Sequence, residues 1–143
     1  MYLAQSLLTA LGLRFTAARA GQPFLLVLWS ADCPPCIKEL AHLRQVRDEA
    51  PAMELVLIAT DAPEAAAEVK RTLQRFGLED ADNWIFASGF AERLRHRIDP
   101  NWYGELPRAY FYDAQHRRVG RSGMLMVEQL QAWAASVGQA PAR

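Results

Sequence analysis

Apolar and polar positions alternate along this chain in two distinct rhythms. Phe24-Leu25-Leu26-Val27-Leu28 is an unbroken apolar run, and Met53-Glu54-Leu55-Val56-Leu57-Ile58-Ala59 nearly repeats it. Continuous runs of this length predict strands buried on both faces. Between them Ile37, Leu40, Leu43, Val46 and Ala50 recur every three or four residues, which predicts one apolar face of a helix that Pro51 ends. Asp61-Ala62-Pro63-Glu64 has the proline and acid of a helix start. Ala65, Ala66, Val69, Leu73 and Phe76 continue it as an apolar face, and Gly77 is its C-terminal cap.

The second half is shorter in its pieces. Trp84-Ile85-Phe86-Ala87 predicts a third strand, and Ser88 the cap of a helix running to about His96. Ile98 to Pro107 is a loop by its Pro, Gly and Asn content, though aromatic for one, with Trp102 and Tyr103 as candidates for a recognition groove or for packing. Arg108 to Asp113 and Arg118 to Arg121 predict a hairpin around Ala114 to Arg117. Val127, Leu130, Trp133 and Val137 mark a last helix, and 139–143 a frayed end. At the start, Leu3, Leu7, Leu11 and Phe15 recur every four residues, so 1–20 predicts an amphipathic helix packed on the domain. Ala18-Arg19-Ala20 has the form of a signal cleavage site, but no basic residue opens the segment and Arg14 interrupts it. Strands alternating with helices, then a hairpin, predict an α/β fold: a mixed sheet, parallel at its core, with helices on both faces.

At 143 residues the chain is expected to be one domain that buries about two thirds of its unfolded surface. With 51% hydrophobic residues and zero formal net charge, it carries no nucleic-acid footprint. No apolar run reaches the roughly 18 residues of a membrane span. Its 2 cysteines make no disulfide framework, so they are expected to be there for chemistry. They are Cys33 and Cys36, set between the first buried strand and the first long helix. Strand, tight turn with Cys-x-x-Cys, then helix is the outline of a thiol redox site.

Trp29-x-x-Asp32-Cys33-Pro34-Pro35-Cys36 resembles the active site of the thioredoxin superfamily. Cys33-Pro34-Pro35-Cys36-Ile37-Lys38-Glu39-Leu40 is similar to its TlpA-like branch of thiol-disulfide oxidoreductases. Gly104-Glu105-Leu106-Pro107-Arg108 matches the other landmark, a proline, cis in the family, opening the strand beside the cysteines. The resemblance runs from about Gly21 to Val137 and implies a thioredoxin-like core there, within one domain over 1–143. The helix and strand between Pro63 and Ala87 sit where the branch carries its insertion, and the helix over 1–20 stands in place of its N-terminal hairpin. Arg108 stands where the family usually has threonine, Asp32 where an apolar or aromatic residue is common, and Val27 where thioredoxin has a buried aspartate. Glu39 matches the glutamate that the branch carries three residues after its second cysteine.

A thiolate at a helix N-terminus meets free N–H groups and the positive end of the dipole, so Cys33 is the expected nucleophile. Cys36, one turn inside, is the resolving thiol. Pro34 and Pro35 remove N–H donors and Asp32 adds a like charge, which together favour a reductant or isomerase over a strong oxidant. The resemblance makes Glu39 a candidate proton relay to Cys36, with a solvated helix charge as the alternative. It implies a cis peptide before Pro107, substrate contact through the Leu106 main chain, and a place at that contact for Arg108, which would favour acidic partners. Trp29 is expected beside the dithiol, shielding a mixed disulfide, or else in the core. The three histidines suggest no ligand set, and neither a metal nor a cofactor is expected. The expected activity is protein-disulfide reduction or isomerisation by a monomer, on disulfide-bearing proteins, with an upstream dithiol donor that in the family is often a membrane protein. A Cu(I) carrier and a non-catalytic interaction module are the rivals. The family favours the periplasm or cell envelope, and the lack of a convincing signal peptide leaves the cytoplasm as the alternative.

Overall fold

The structure is a computed structural model and describes residues 2–3, 19–86 and 91–138. In chain order its elements are β1 (Tyr2–Leu3), β2 (Phe24–Trp29), α1 (Pro34–Glu49), β3 (Leu55–Ala59), a 3-10 turn (Pro63–Ala65) leading into α2 (Ala66–Arg75), and β4 (Asp82–Ile85). There follow α3 (Ala91–Ile98), β5 (Arg108–Tyr112), β6 (Arg118–Ser122) and α4 (Val127–Gly138). The sheet order is β1-β4-β3-β2-β5-β6. The first four of these strands are mutually parallel, and β5 and β6 join antiparallel.

β2 lies at the centre because every one of its six residues can be buried. Leu25, Val27 and Trp29 face one cluster with Cys36, Leu40 and Leu43 of α1 and Leu130 of α4. Phe24, Leu26 and Leu28 face another with Leu94 and Ile98 of α3 and with Trp102. β3 divides in the same way, with Leu57 on the first face and Val56 and Ile58 on the second. Two faces to cover is the physical reason both runs are apolar without alternation. Truncating Leu57, which is fully buried, to alanine would cost roughly 2–5 kcal/mol.

Where the elements differ from the sequence pattern, side-chain hydrogen bonds explain it. The third strand is shifted two residues toward the N-terminus, so that Asp82 and Asn83 lie in it and pair with Val56 and Leu57. Asn83 is tolerated because its amide donates to the Leu78 and Ala81 carbonyls, and Asp82 because its carboxylate accepts from Trp84 Nε1 and from Arg19. The fourth helix expected from Ser88 to His96 runs to Ile98, which packs with Leu94 on the second cluster; Ser88 itself lies outside the described residues. Most of the helix expected over 1–20 also lies outside them, and Tyr2–Leu3 form a short strand on β4 instead. Arg19, in the segment that resembled a cleavage site, is buried and paired with Asp82 at 2.9 Å and Glu54 at 3.5 Å. His116 is no simple surface residue: it takes a left-handed φ of 60° in the β5–β6 turn and its Nε2 meets the Arg19 and Gln22 carbonyls.

The inserted α2 and β4 are fastened to the far end of α1. Gly77 ends α2 with φ of 66°, and its carbonyl accepts from both Arg44 and Arg47 at 2.9 Å. The left-handed φ is what calls for glycine here, and a Cβ would also make the Arg44 guanidinium shift.

Candidate functional site

Cys33 is the N-cap of α1, with extended backbone (φ −113°, ψ 102°). Pro34 and Pro35 fill the first two helical positions, so the first N–H of the helix belongs to Cys36. It donates to Cys33 Sγ at 3.2 Å, the sulfur taking the acceptor role that a serine or aspartate oxygen has at other helix starts. The two cysteines form a disulfide with Cα atoms 5.2 Å apart. Cys33 is half-buried and Cys36 only 1% exposed, so a partner reaches Cys33 first.

The turn ahead of the helix is held by a residue that sequence reasoning took for a helix start. Asp61, just past the C-terminal end of β3, accepts from Ser30 Oγ at 3.0 Å and from the Ala31 N–H at 3.2 Å. Ser30 Oγ in turn accepts from the Asp32 N–H, and the Ser30 carbonyl from the Cys33 N–H. The signal available for Asp61 was positional: loops at the carboxyl ends of adjacent parallel strands meet at one edge of the sheet. Asp32 points to water, where its field at Cys33 is screened.

Glu39 is not a solvated helix charge. It is 1% exposed, one turn beyond Cys36, and its Oε2 accepts from the Leu125 N–H at 2.7 Å. Oε1 is buried, with no hydrogen-bond partner among the described residues. Burial pushes the carboxyl up to about 7, against the opposing pull of the Leu125 N–H. One more turn along, His42 Nδ1 lies 2.8 Å from the Leu125 carbonyl oxygen.

The peptide between Leu106 and Pro107 is cis. β5 pairs with β2 through Leu28 and Arg108; continuing that register sets Pro107 beside Trp29 and Leu106 beside Ser30, at the edge where the cysteine turn emerges. The Pro107 carbonyl accepts from the Gly123 N–H. Leu106 is half-buried and packs on the same cluster as Cys33. Of two other expected contacts, one lies in the core and one on the far face of the sheet. Trp29 is 1% exposed, so it is core beneath the dithiol and offers a partner no surface. Arg108 sits on the opposite face of β5 from the cysteine helix, where Asp99 at 3.3 Å, Ser122 Oγ at 3.0 Å and the Tyr110 ring hold its guanidinium. The loop aromatics divide: Trp102 is buried and donates to the Glu105 carbonyl, while Tyr103 is 87% exposed.

Two surface grooves of about 630 and 520 Å³ are lined around Arg47 and Asp80 and around Lys70 and Glu79, and neither includes Cys33. Among the described residues no group of three or more His, Cys, Asp or Glu side chains is placed to hold a metal ion, and no helix there is long and apolar enough to cross a membrane.

The architecture has known counterparts. The chain is similar in structure to a secreted Mycobacterium tuberculosis disulfide oxidoreductase homologous to E. coli DsbE, with a TM-score of 0.67, 26% identity, and 84% of this chain and 85% of that one covered. StoA from Bacillus subtilis superposes with a TM-score of 0.59 and 21% identity over 79% of this chain and 82% of its own. In sequence, the thiol-disulfide oxidoreductase ResA of Halalkalibacterium halodurans is 33% identical over 58 residues, which is 41% of this chain but 33% of that relative's length. No family model matches the chain. The fold is a thioredoxin fold, and the neighbour that shares 26% identity is a disulfide oxidoreductase.

Proposed function

From a thioredoxin-fold chain with an intact Cys-x-x-Cys turn, we propose a thiol-disulfide oxidoreductase that reduces or isomerises disulfides in partner proteins. The observation that carries this reading is the stacking of roles along one helix: a reachable sulfur at the N-cap, a buried sulfur behind it, and a buried carboxyl one turn deeper.

In the reduced protein the Cys33 thiolate attacks one sulfur of a partner disulfide. That S–S bond breaks, the other partner sulfur leaves as a thiolate, and a mixed disulfide joins Cys33 to the partner. Cys36 then loses its proton to Glu39 and its thiolate attacks Cys33 Sγ. The Cys33–Cys36 bond forms, the partner leaves as a dithiol, and two electrons have passed to it. A carboxyl that titrates at about 7 is half ionised near neutral pH, so it can take that proton and return it. An extended partner segment pairs with the main chain at Leu106, which no backbone hydrogen bond claims among the described residues. The protein acts as a monomer, and an upstream dithiol, for which a membrane protein is the candidate, restores the reduced form.

The direction follows from the donors. Pro34 and Pro35 leave Cys36 N–H as the single helix N–H directed at Cys33 Sγ, so the thiolate is stabilised less than at a fully furnished helix start. A reduction potential at or below about −200 mV is expected, and one near about −120 mV would refute a reducing role. Insulin reduction with a thiol donor tests the activity itself: the wild-type chain reduces it and Cys33→Ser does not. Stoichiometric Cu(I) binding without reductase activity would replace this reading by a metal carrier, and inactivity in both assays by an interaction module. Cys36→Ala is expected to trap partners on Cys33.

A further inference from the structure

The Gly123–Leu125 turn is held at three points, each by a group of the site. The Pro107 carbonyl accepts from the Gly123 N–H at 2.9 Å, Glu39 Oε2 accepts from the Leu125 N–H at 2.7 Å, and His42 Nδ1 meets the Leu125 carbonyl at 2.8 Å. A carbonyl oxygen only accepts, so the contact assigns the proton to His42 Nδ1 and makes the ring a donor. Cys36, Glu39 and His42 follow each other at intervals of three on α1 and so lie on one ridge of the helix. Leu125 is 2% exposed and packed into the core, which gives the turn a single seat.

We infer that His42 is a positioning residue for the Glu39 carboxyl, acting through the Leu125 backbone. By fixing the Leu125 carbonyl it keeps the neighbouring N–H on Oε2. Oε1, buried without a partner, is then the oxygen that exchanges a proton with Cys36. The inference rests on the relay proposed above and adds the device that aims it. Its physical basis is the lack of any other polar hold on the carboxyl among the described residues. The surfaces that β2, β5 and α4 turn toward this cluster are Val27 and Trp29, Ala109 and Phe111, and Leu130 and Trp133, none of them charged. On α1 the titratable neighbours on the ridge are Cys36 and His42, and Asp32 and Asp61 stand at the turn ahead of Cys33. Of the two influences on Glu39, burial favours the neutral acid and the Leu125 N–H favours the carboxylate. Releasing Leu125 removes the second and leaves the first.

The test uses the oxidised full chain, in which no thiol titrates, with glutamate labelled at the side-chain carboxyl and followed by carbon-13 NMR against pH. In His42→Ala the Glu39 midpoint should move upward by about half a unit to one unit, the size of a weakened charged hydrogen bond. In His42→Asn, whose amide N–H falls near the position of Nδ1, it should return close to the wild-type value. If His42→Ala does not fold, His42→Gln, with its amide set further out, is read in its place with the same expectation. A merely structural histidine would lower stability and leave the midpoint alone. An unmoved midpoint in a folded variant therefore overturns the inference, as does a shift that His42→Asn fails to repair. Failure of the relay itself shows separately, as Cys36 titration unchanged in Glu39→Gln with His42 in place.

Discussion

Replacing Glu39 by glutamine should make the oxidised protein more stable at high pH while damaging the chemistry. The folded carboxyl titrates at about 7 against an ordinary 4.5, a gap of 2.5 units. Below 4.5 both folded and unfolded chains hold the proton, and the residue adds no pH dependence. Between 4.5 and 7 the unfolded chain ionises while the folded one still holds its proton, so stability falls as pH rises. Above 7 the full burden is present, at about 1.4 kcal/mol per unit, or roughly 3–4 kcal/mol in all. Integrated from pH 5 to pH 8 the loss is roughly 2–3 kcal/mol. Glutamine has no such dependence. Its unpaired N–H₂ takes the place of the unpaired Oε1, a difference that does not change with pH. Urea unfolding of both oxidised proteins at pH 5 and pH 8 isolates the quantity: the stability of Glu39→Gln relative to wild type should rise by roughly 2–3 kcal/mol between the two. The same difference at both pH values would refute the account of a buried, partly unsatisfied carboxyl.

Three more outcomes follow from the same geometry. Pro35→Ala restores an N–H at the second helical position within reach of Cys33 Sγ, so the Cys33 thiol should titrate lower by roughly one unit and the reduction potential should rise, as read by iodoacetamide kinetics against pH and by glutathione equilibration. Asp61→Ala removes the acceptor of Ser30 Oγ and the Ala31 N–H and should cost about 1–2 kcal/mol in urea unfolding, with a slower reaction at Cys33 because the turn before it loosens. Arg108→Met should lower stability by about 1–3 kcal/mol, since it leaves half-paired Asp99 buried, yet leave insulin reduction near the wild-type rate; a large loss of activity with stability intact would restore Arg108 to the substrate contact.

Much of the fold was legible because its central strands need apolar residues on both faces. Phe24–Trp29 and Leu55–Ala59 are such runs, and Leu40, Leu43 and Val46 repeat at helical spacing because α1 covers one of those faces. β4 was misplaced because Asp82 and Asn83 read as turn residues, and only the Arg19, Trp84 and Leu78 contacts make them admissible in a strand. At the site, the paired cysteines at a helix start and the cis proline were legible from the motifs. Arg108 was placed beside the substrate by resemblance, which carries positions but not facing, whereas Trp29 lies beside the dithiol but within the core. Which side of β5 a residue takes is fixed by alternation with its neighbours, and Arg108 shares its face with Tyr110. The Leu125 contacts had no sequence signal at all, because every residue but proline has the N–H and carbonyl they use.

The two arginines on the Gly77 carbonyl bear on any attempt to pare this protein down. An engineer seeking a minimal redox scaffold would excise the segment from Pro63 to Ile85 as an ornament on a smaller core. That cut would strip Arg44 and Arg47 of the carbonyl they share, expose the flank of β3 that β4 covers, and uncover the wall that Val69 and Leu73 complete. Shortening should therefore begin at the termini or in surface turns, and a loop-for-insertion swap needs uncharged replacements at 44 and 47 before it can succeed.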